Sequence, residues 1–335
     1  MVKLLKLLLA YKFKQSKPSQ NSGGFTLIEV LVGLILALLV ILPLLAFMVN
    51  MLQTDRQEQA KASSEQEIQT ALNYISRDLE QAVYIYDGYG LSQIRDSLPN
   101  PANSQPVLVF WKRQFVPDVI PTGSSQRDDG FTYALVAYYL KTPTQAQCTQ
   151  ANFRWSCTAQ ITRLLIRGEI RDRNNNEIND ERAEADAGFK LFDPNTGLTS
   201  VEDIMNAWQS DGTITKSAEE LIDYIDQTYV STVGNCPPIE RKNLPTGVTQ
   251  ASYSTAGGYQ QVPSPTVAQT SGNGFYACVN VDQTSAQVFI RGNALARLQK
   301  KQNPPGYSAN KAAYFPRASI QVKGRGLFST KQSGE

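Results

Sequence analysis

Histidine is the residue that this chain lacks, since none occurs among its 335 residues. Imidazole is the usual general base near neutral pH and a common metal ligand. Its absence therefore excludes Ser-His-Asp and Cys-His catalytic machinery as well as histidine metal sites. Any catalysis would need carboxylate pairs or a Ser-Lys dyad, which no pattern in the sequence identifies. We expect no catalytic residue and no cofactor, and hence no enzyme.

Cysteine is also scarce, with four residues and no CxxC spacing, which argues against a zinc site. All four follow the long apolar run described below, in a region that we expect to be exported, where an even number favours disulfides. Four cysteines allow three pairings. We favour Cys148 with Cys157 and Cys236 with Cys278, because each pair brackets one loop.

Charge is absent from Val30 to Val49, a run of 20 residues. At the helical rise of about 1.5 Å per residue, this run would cross a hydrocarbon core of about 30 Å. We predict a transmembrane helix over residues 25–52. The preceding residues 1–24 hold five lysines and no acid, so the positive-inside rule places this leader in the cytoplasm. A secretory signal peptide is the alternative, but no small-x-small cleavage site follows the leader's short apolar stretch.

The acid Glu29 lies at the start of this apolar segment. An ionised side chain facing lipid costs about 2.5–3.5 kcal/mol on insertion scales, so an acid there needs a partner. The nearest lysine, Lys17, lies twelve residues upstream. A cut after Gly24 would give Phe25 a new α-amino group, and that ammonium could pair with Glu29 of a neighbouring subunit.

The basic leader, Gly24, Phe25, Glu29 and the apolar helix together resemble the class III signal of type IV pilins and pseudopilins. The resemblance implies that a prepilin peptidase cleaves after Gly24 and methylates Phe25. It also implies a single-pass inner-membrane protein that assembles into a filament. The implied partners are other pilins or pseudopilins, prepilin peptidase, the inner-membrane assembly platform with its ATPase, and membrane lipid. The alternative is an ordinary single-pass anchor with a stray glutamate.

Apolar residues then recur at spacings of three and four, which predicts an amphipathic half of the same helix over residues 53–86. The stripe consists of Ile68, Leu72, Ile75, Leu79 and Val83. One helix is thus expected from Phe25 to about Tyr86. Pro43 lies inside the apolar run, where proline costs about 3 kcal/mol in an isolated helix. It predicts a kink or local melting, with a mere bend as the alternative.

Residues 87–335 have the pattern of a β-rich head with long loops. Valine- and tyrosine-rich runs predict strands of an antiparallel sheet, and a hairpin is expected nearer the C-terminus. The expected strands are 106–111, 131–140, 160–170, 275–281, 286–291 and 312–322. The predicted fold class is α+β: a long N-terminal helix packed on an antiparallel head, the architecture of pilins.

Two shorter stretches suggest a subfamily. Tyr138-Tyr139-Leu140, the cysteine-bracketed loop and residues 164–167 are similar to J-type minor pseudopilins over residues 25–170. Residues 288–298 resemble the pseudopilins of hormogonium polysaccharide secretion in filamentous gliding cyanobacteria. The large head favours a minor subunit at a filament tip over a shaft subunit. A major adhesive pilin is an alternative, as is a membrane-anchored periplasmic enzyme or glycan-binding module.

Polar segments separate these strands. In residues 171–195, Asp172, Asn174 and Asn176 resemble a calcium loop, but the expected glycine and bidentate glutamate are missing, so a solvated loop is favoured. Capping signals at Ser200 and Ser217 predict two short helices. The stripe Leu221, Ile222 and Ile225 is expected to pack on the sheet together with Trp208.

Residues 231–273 are rich in Ser, Thr, Gly, Pro and Gln, and predict a disordered linker. A contact surface for glycan or protein around Tyr253 and Tyr259 is the alternative. Removing the five leader lysines from the 32 basic residues leaves 27, against 30 acidic ones. With scattered C-terminal cations, this balance predicts no nucleic-acid partner.

Overall fold

The structure is a computed structural model that describes residues 24–99, 101, 103–123, 126–150, 154–194, 197–198, 200–231, 236–254, 258–299 and 303–326. Most of the predicted leader, residues 1–23, lies outside the described residues. The chain divides into two compact units, with the boundary between Asp55 and Arg56. We describe each unit by itself.

Helix α1 spans Leu27–Glu80 and contains 54 residues. In the first unit, every described residue is exposed, including the large apolar side chains from Phe25 to Leu52. The helix contains a stretch that is long and apolar enough to cross a membrane. It is continuous through Pro43, so the local melting that was considered for this proline is wrong, whereas a kink there stays a prediction.

In the second unit, the same helix buries a single face. The buried residues recur every three or four positions, as expected for one side of a helix. They are Ala60, Ser64, Ile68, Ala71, Leu72, Ile75, Asp78 and Leu79. The opposite face is polar, which confirms the predicted amphipathic character of this half.

The helix ends earlier than predicted, at Glu80 instead of about Tyr86. Residues Ala82–Ile85 form strand β1, which pairs antiparallel with β2 at Trp111 and Phe110. All four residues of β1 are buried. A helix with one apolar face cannot bury four consecutive residues, whereas a strand inside a covered sheet can. Val83, predicted in the helical stripe, therefore belongs to the sheet.

The first sheet has five antiparallel strands in the order β1-β2-β3-β4-β5. Strands β2, β3 and β4 span Ser104–Pro121, Arg127–Lys141 and Ala159–Arg167. These confirm the first three predicted strands, although β4 ends at Arg167 and not at residue 170. The pairing of β3 with β4 ends where Ala134 meets Arg167. Residues 127–133 of β3 pair with β2, and together they form a two-stranded arm.

Strand β5, Glu219–Ile225, replaces the helix predicted from the capping signal at Ser217. Its backbone pairs with β4, and Ile222 and Ile225 are buried. The strand supplies hydrogen-bond partners along the side of β4 that faces away from β3, a requirement that outweighs a weak local capping signal. The other predicted helix is confirmed as α4, Val201–Asn206, capped by Ser200.

The second sheet has the order β6-β7-β8-β9. Strands β6, β7 and β8 span Gln261–Val262, Phe275–Asn280 and Ser285–Arg291, and the last two confirm the predicted hairpin. The final strand β9, Arg317–Lys323, begins later than predicted. The residues before it form a 3₁₀ helix, Ala309–Tyr314.

Short helices complete the head and were not individually predicted, apart from α4. They are α2 at Gly88–Ile94, α3 at Gln145–Cys148, α5 at Gln250–Ser254, α6 at Pro265–Ser271 and α7 at Ala294–Leu298. Two further 3₁₀ turns occupy Arg95–Ser97 and Val281–Gln283.

One large apolar cluster joins the buried helix face with both sheets. Trp208 belongs to it, as predicted, and its ring centroid lies 5.7 Å from that of Trp111. The indole N–H of Trp208 donates to the Lys190 carbonyl at 2.7 Å. This ring is therefore part of the core and not of a binding surface.

Two predictions about loops need correction. The region 171–195 is not uniformly solvated, because Ile178 and Ala183 form a separate apolar cluster with residues of the β2–β3 arm. The region 231–273 is not a disordered linker in its described part, since it contains α5, β6 and α6. Tyr253 is fully buried there, so it cannot serve as an exposed contact residue.

Candidate functional site

The first candidate site is the segment before helix α1. Phe25 is 81% exposed. Among the described residues, and apart from the adjacent residue of the chain, no atom lies within 4 Å of the position that a Cβ on Gly24 would occupy. The peptide bond that follows Gly24 is thus not covered by neighbouring groups, as a cleavage site requires.

Thr26 begins the helix by capping it. The Glu29 N–H donates to the Thr26 hydroxyl at 3.3 Å and to its carbonyl at 3.0 Å. The Val30 N–H donates to the same carbonyl at 3.2 Å. This role was not predicted from the sequence, although the Thr-x-x-Glu spacing is that of a capping box and indicates it.

Glu29 occupies the first turn of α1, where the helix dipole favours an acid. Its carboxylate is exposed and forms no ion pair with any residue that the structure describes. It therefore differs from Asp78 and Asp87, two acids of the head that lie close to cations of the same chain. The structure leaves this carboxylate available to a cation from outside the described chain.

A second site is a charge cluster around Asp78, near the end of α1. Lys112 Nζ lies 2.8 Å from Asp78 Oδ1, and Arg163 Nε lies 2.7 Å from Oδ2. The Tyr138 hydroxyl donates to Oδ2 at 2.7 Å. These partners come from β2, β3 and β4. Burial raises the pKa of Asp78, but Arg163 and Lys112 outweigh burial and hold this pKa below its usual value. The cluster fastens the helix to the three central strands.

A third site surrounds Arg241, whose side chain is buried. Its Nη1 and Nη2 donate to the two carboxylate oxygens of Glu202 at 2.9 and 2.6 Å. Its Nη2 also donates to Asp282 Oδ1 at 3.0 Å, and its Nη1 donates to the Tyr253 hydroxyl at 2.7 Å. One guanidinium thus fixes the segment before α5 to α4 and to the β7–β8 turn.

Asp87 completes this cluster. Its Oδ1 accepts from the Gly90 N–H at 2.8 Å and caps α2, and its Oδ2 accepts from the Tyr253 hydroxyl. Arg241 Nη1 lies 3.6 Å away. Burial raises the pKa of Asp87 to about 6, despite the hydrogen bonds from Tyr253 and Gly90. Here three acids share one arginine, whereas at Asp78 one acid has two cations.

The cysteines form two disulfides, Cys148–Cys157 and Cys236–Cys278, with Cα–Cα distances of 5.7 and 5.5 Å. These are the pairs that the loop-bracketing argument favoured. The second bridge attaches the segment before Arg241 to β7, so it restrains the same region as the Arg241 cluster.

The calcium candidate forms a turn held by its own hydrogen bonds. Asp172 Oδ1 accepts from the N–H groups of Asn174 and Asn176 at 2.8 and 2.7 Å, and Oδ2 accepts from Asn176 Nδ2 at 3.1 Å. The hydrogen bonds from Asn176 lower the pKa of Asp172. Within the described ranges, no group of three or more acidic, cysteine or histidine side chains is placed to hold a metal.

Comparison with known families identifies the prokaryotic N-terminal methylation motif at residues 19–45. No curated protein and no solved structure matched the chain. The comparisons thus give no support to the finer resemblances to J-type and cyanobacterial pseudopilins. The motif supports a pilin or pseudopilin that prepilin peptidase processes, a structural class with other pilins as partners. The chain therefore combines the methylation motif of type IV pilin-like proteins with a pilin-like α+β architecture.

Proposed function

We propose that this chain is a minor pilin or pseudopilin, cleaved after Gly24, methylated on Phe25 and assembled into a filament through helix α1. The observation that carries the proposal is Glu29, an exposed acid without an intrachain ion pair in the described residues, beside an uncharged apolar run. Gly24 and Phe25 lie five and four residues before it, respectively, inside the matched motif.

The energetic argument concerns two costly charges. A carboxylate in lipid costs about 2.5–3.5 kcal/mol on insertion scales, and a free ammonium at that depth is similarly unfavourable. Cleavage creates such an ammonium on every subunit. When the ammonium of one subunit meets the carboxylate of the next, each charge gains a partner of opposite sign. The pairing also fixes the offset between neighbouring helices.

The cellular location that we propose follows from the leader and helix α1. The lysine-rich leader keeps the N-terminus cytoplasmic, the apolar half of α1 spans the inner membrane, and the head is periplasmic or lies on an extracellular filament. The assembly platform and its ATPase would extract the apolar helix from lipid during assembly. We place the head at the tip or the initiating end of the filament, because a head of this size would crowd neighbours in a repeating shaft.

We also propose that the filament serves secretion or motility. Polysaccharide as the cargo rests on the resemblance of residues 288–298, which form most of β8 and all of α7. Those residues belong to the second sheet and to the helix beside it. The filament role does not depend on the cargo.

The test is coexpression with an active prepilin peptidase, followed by intact-mass and N-terminal analysis of the membrane-purified protein. We expect loss of residues 1–24 and a methylated Phe25. Glu29→Leu should insert and be cleaved normally but be absent from sheared filaments. Glu65→Ala is the matched control, because Glu65 is an exposed acid on the same helix outside the apolar run.

An uncut wild-type chain beside a processed control pilin would favour the single-pass anchor instead. Full incorporation of Glu29→Leu would refute the role of the carboxylate while leaving cleavage established. Equal loss of Glu65→Ala and Glu29→Leu would show that the helix surface in general, not the membrane acid, governs assembly.

A further inference from the structure

The outer face of the second sheet carries a cleft of about 330 Å³. This volume falls at the lower end of the range for small-molecule sites, about 300–1,000 Å³. Alternate residues of β7, β8 and β9 face the apolar core on the other side of the sheet, among them Phe275, Ile290 and Val322. The cleft is lined on the opposite face by Tyr276, Phe289, Arg291, Arg317 and Ser319.

One row of side chains across this face forms an aromatic wall. Strand register places Tyr276 opposite Phe289, and Phe289 opposite Ser319. The two rings are stacked with centroids 4.5 Å apart and planes within 4°. Tyr276 covers one face of the Phe289 ring. The residue opposite Phe289 on the last strand, β9, is Ser319, which is too small to cover the other face.

The next row carries two arginines, since Arg291 pairs with Arg317. Same-face neighbours along a strand are about 7 Å apart, and both arginines line the cleft together with Phe289. Arg291 is held in place: its Nε donates to Asp226 Oδ2 at 2.7 Å, and its Nη2 donates to the Thr228 carbonyl at 2.6 Å.

The two arginines differ in their hydrogen bonds and in their exposure. The Nη1 of Arg291 donates no hydrogen bond to any described residue, although the rest of its guanidinium is bound. Arg317 is exposed and forms no ion pair within the described part of the chain. The cleft thus offers one preorganised donor and one free cation. A basic residue on an edge strand can simply discourage strand pairing, but that role needs neither the open ring face nor the fixed guanidinium.

We propose that this cleft binds an acidic saccharide. A pyranose ring would place its C–H groups, which carry partial positive charge, against the negative face of Phe289. Its carboxylate would accept charge-assisted hydrogen bonds from Arg317 and from Arg291 Nη1. One free cation suits one acidic group per ring, since Asp226 already pairs with Arg291, whereas single-stranded nucleic acid needs a basic groove along many phosphates. The site is independent of filament assembly, and it would give the head a ligand whether or not the cargo is polysaccharide.

The experiment is calorimetric titration of the full processed chain in detergent micelles with tetragalacturonate, maltotetraose and an oligothymidylate. We expect saturable binding of tetragalacturonate, with the neutral sugar and the oligonucleotide at least tenfold weaker, a difference of about 1.4 kcal/mol. Arg317→Gln should weaken binding about tenfold or more, because a hydrogen bond to a charged group contributes about 1.5–3 kcal/mol.

Two further variants keep the test decisive. Ser319→Phe retains both arginines but fills the slot beside Phe289, so it should also abolish binding. Lys323→Gln is the matched control, since Lys323 is an exposed cation on the same face of β9, three rows from Arg317. It should leave the affinity within about threefold, because a distant exposed charge is screened.

The proposal is overturned by absence of saturable tetragalacturonate binding, by equal binding of maltotetraose or oligothymidylate, or by equal losses in Arg317→Gln and Lys323→Gln. Thermal unfolding of each variant checks that it is folded. Because the titration uses protein that is already processed, its failure would not bear on cleavage or assembly.

Discussion

Two acids on one helix have opposite surroundings. Asp78 is buried near the end of α1, where Lys112 and Arg163 lie within 2.8 Å. Glu29 is exposed in the first turn, and the described chain provides it with no ion pair. The difference separates two functions of charge. An acid whose cations belong to the same chain holds the fold together, whereas an acid left without them beside an apolar run is available to another molecule.

Asp87 is an intermediate case that sharpens this comparison. It is buried inside the head like Asp78, but it shares Arg241 with Glu202 and Asp282. Its pKa is raised to about 6, whereas the pKa of Asp78 is lowered. Burial is the largest unfavourable influence on both acids, so the number of nearby cations decides the direction of each shift.

The largest effect on stability is expected from Asp78→Ala. This change leaves the buried Lys112 and the partly buried Arg163 without their acid, which costs about 3–5 kcal/mol. Thermal unfolding of the full chain in detergent should show a loss of about 10 °C. Glu29→Leu should change the midpoint by less than about 1 °C, as expected for an exposed position. Equal losses in the two variants would break the comparison.

Arg241→Met should be nearly as harmful at neutral pH, with a loss of about 2–4 kcal/mol, because Asp87, Glu202 and Asp282 would then lie close together without a cation. Lowering the pH to 5 should recover part of this stability, since protonation removes the repulsion. Chemical denaturation at pH 5 and pH 7.5 measures both effects. A loss that is independent of pH would show that the arginine acts through packing.

The pH dependence of stability should have opposite signs at the two buried acids. The folded pKa of Asp87, about 6, exceeds its ordinary value of 3.8, so its stabilising effect is fully present below pH 3.8 and is lost as pH rises towards 6. This loss is about 3 kcal/mol, at about 1.4 kcal/mol per pH unit. Asp87→Asn should flatten the stability curve between pH 4 and pH 6.

Asp78 contributes in the other direction. Its folded pKa is lowered, so its stabilising effect is present above its ordinary pKa of 3.8 and is lost as pH falls below that value. Asp78→Asn should therefore remove stability at pH 7 but have less effect at very low pH. Denaturation curves that show the same slope for both asparagine variants would contradict the cation-count explanation.

The smallest effect is expected from Lys141→Ala. Lys141 Nζ lies 3.1 Å from Glu220 on the surface, and both side chains are about one third exposed. Such pairs contribute about 0–1 kcal/mol. The midpoint of thermal unfolding should shift by no more than about 3 °C. In 1 M salt, which screens the pair in the wild type, the midpoints of the variant and the wild type should converge. A shift as large as that of Asp78→Ala would show that burial does not set the ranking.

The sequence predicted well those features that depend on nearby residues. The apolar run, the amphipathic stripe from Ile68 to Leu79, the hairpin of β7 and β8 and the cap at Ser200 each have a local physical cause. The cap at Thr26 also has a local cause, the Thr-x-x-Glu spacing of a capping box, although it was not predicted. The site predicted at Gly24, Phe25 and Glu29 lies in the same short segment that the methylation motif covers.

Features that depend on distant pairing could not be predicted in this way. Strands Ala82–Ile85 and Glu219–Ile225 have compositions compatible with a helix, and their partners on β2 and β4 decide their conformation. The Arg241 cluster joins acids from positions 87, 202 and 282. No spacing in the sequence signals that these residues meet around one arginine.

The central claim is that Glu29 pairs with the new amino group of another subunit. Carbodiimide treatment of assembled filaments tests it directly, because the reagent forms an amide only between an amine and a carboxylate in contact. In filaments that mix isotopically labelled and unlabelled chains, the account predicts a Phe25–Glu29 cross-link between differently labelled chains and none with Glu29→Gln. Cross-links confined to single chains, or unchanged in the Glu29→Gln variant, would contradict it.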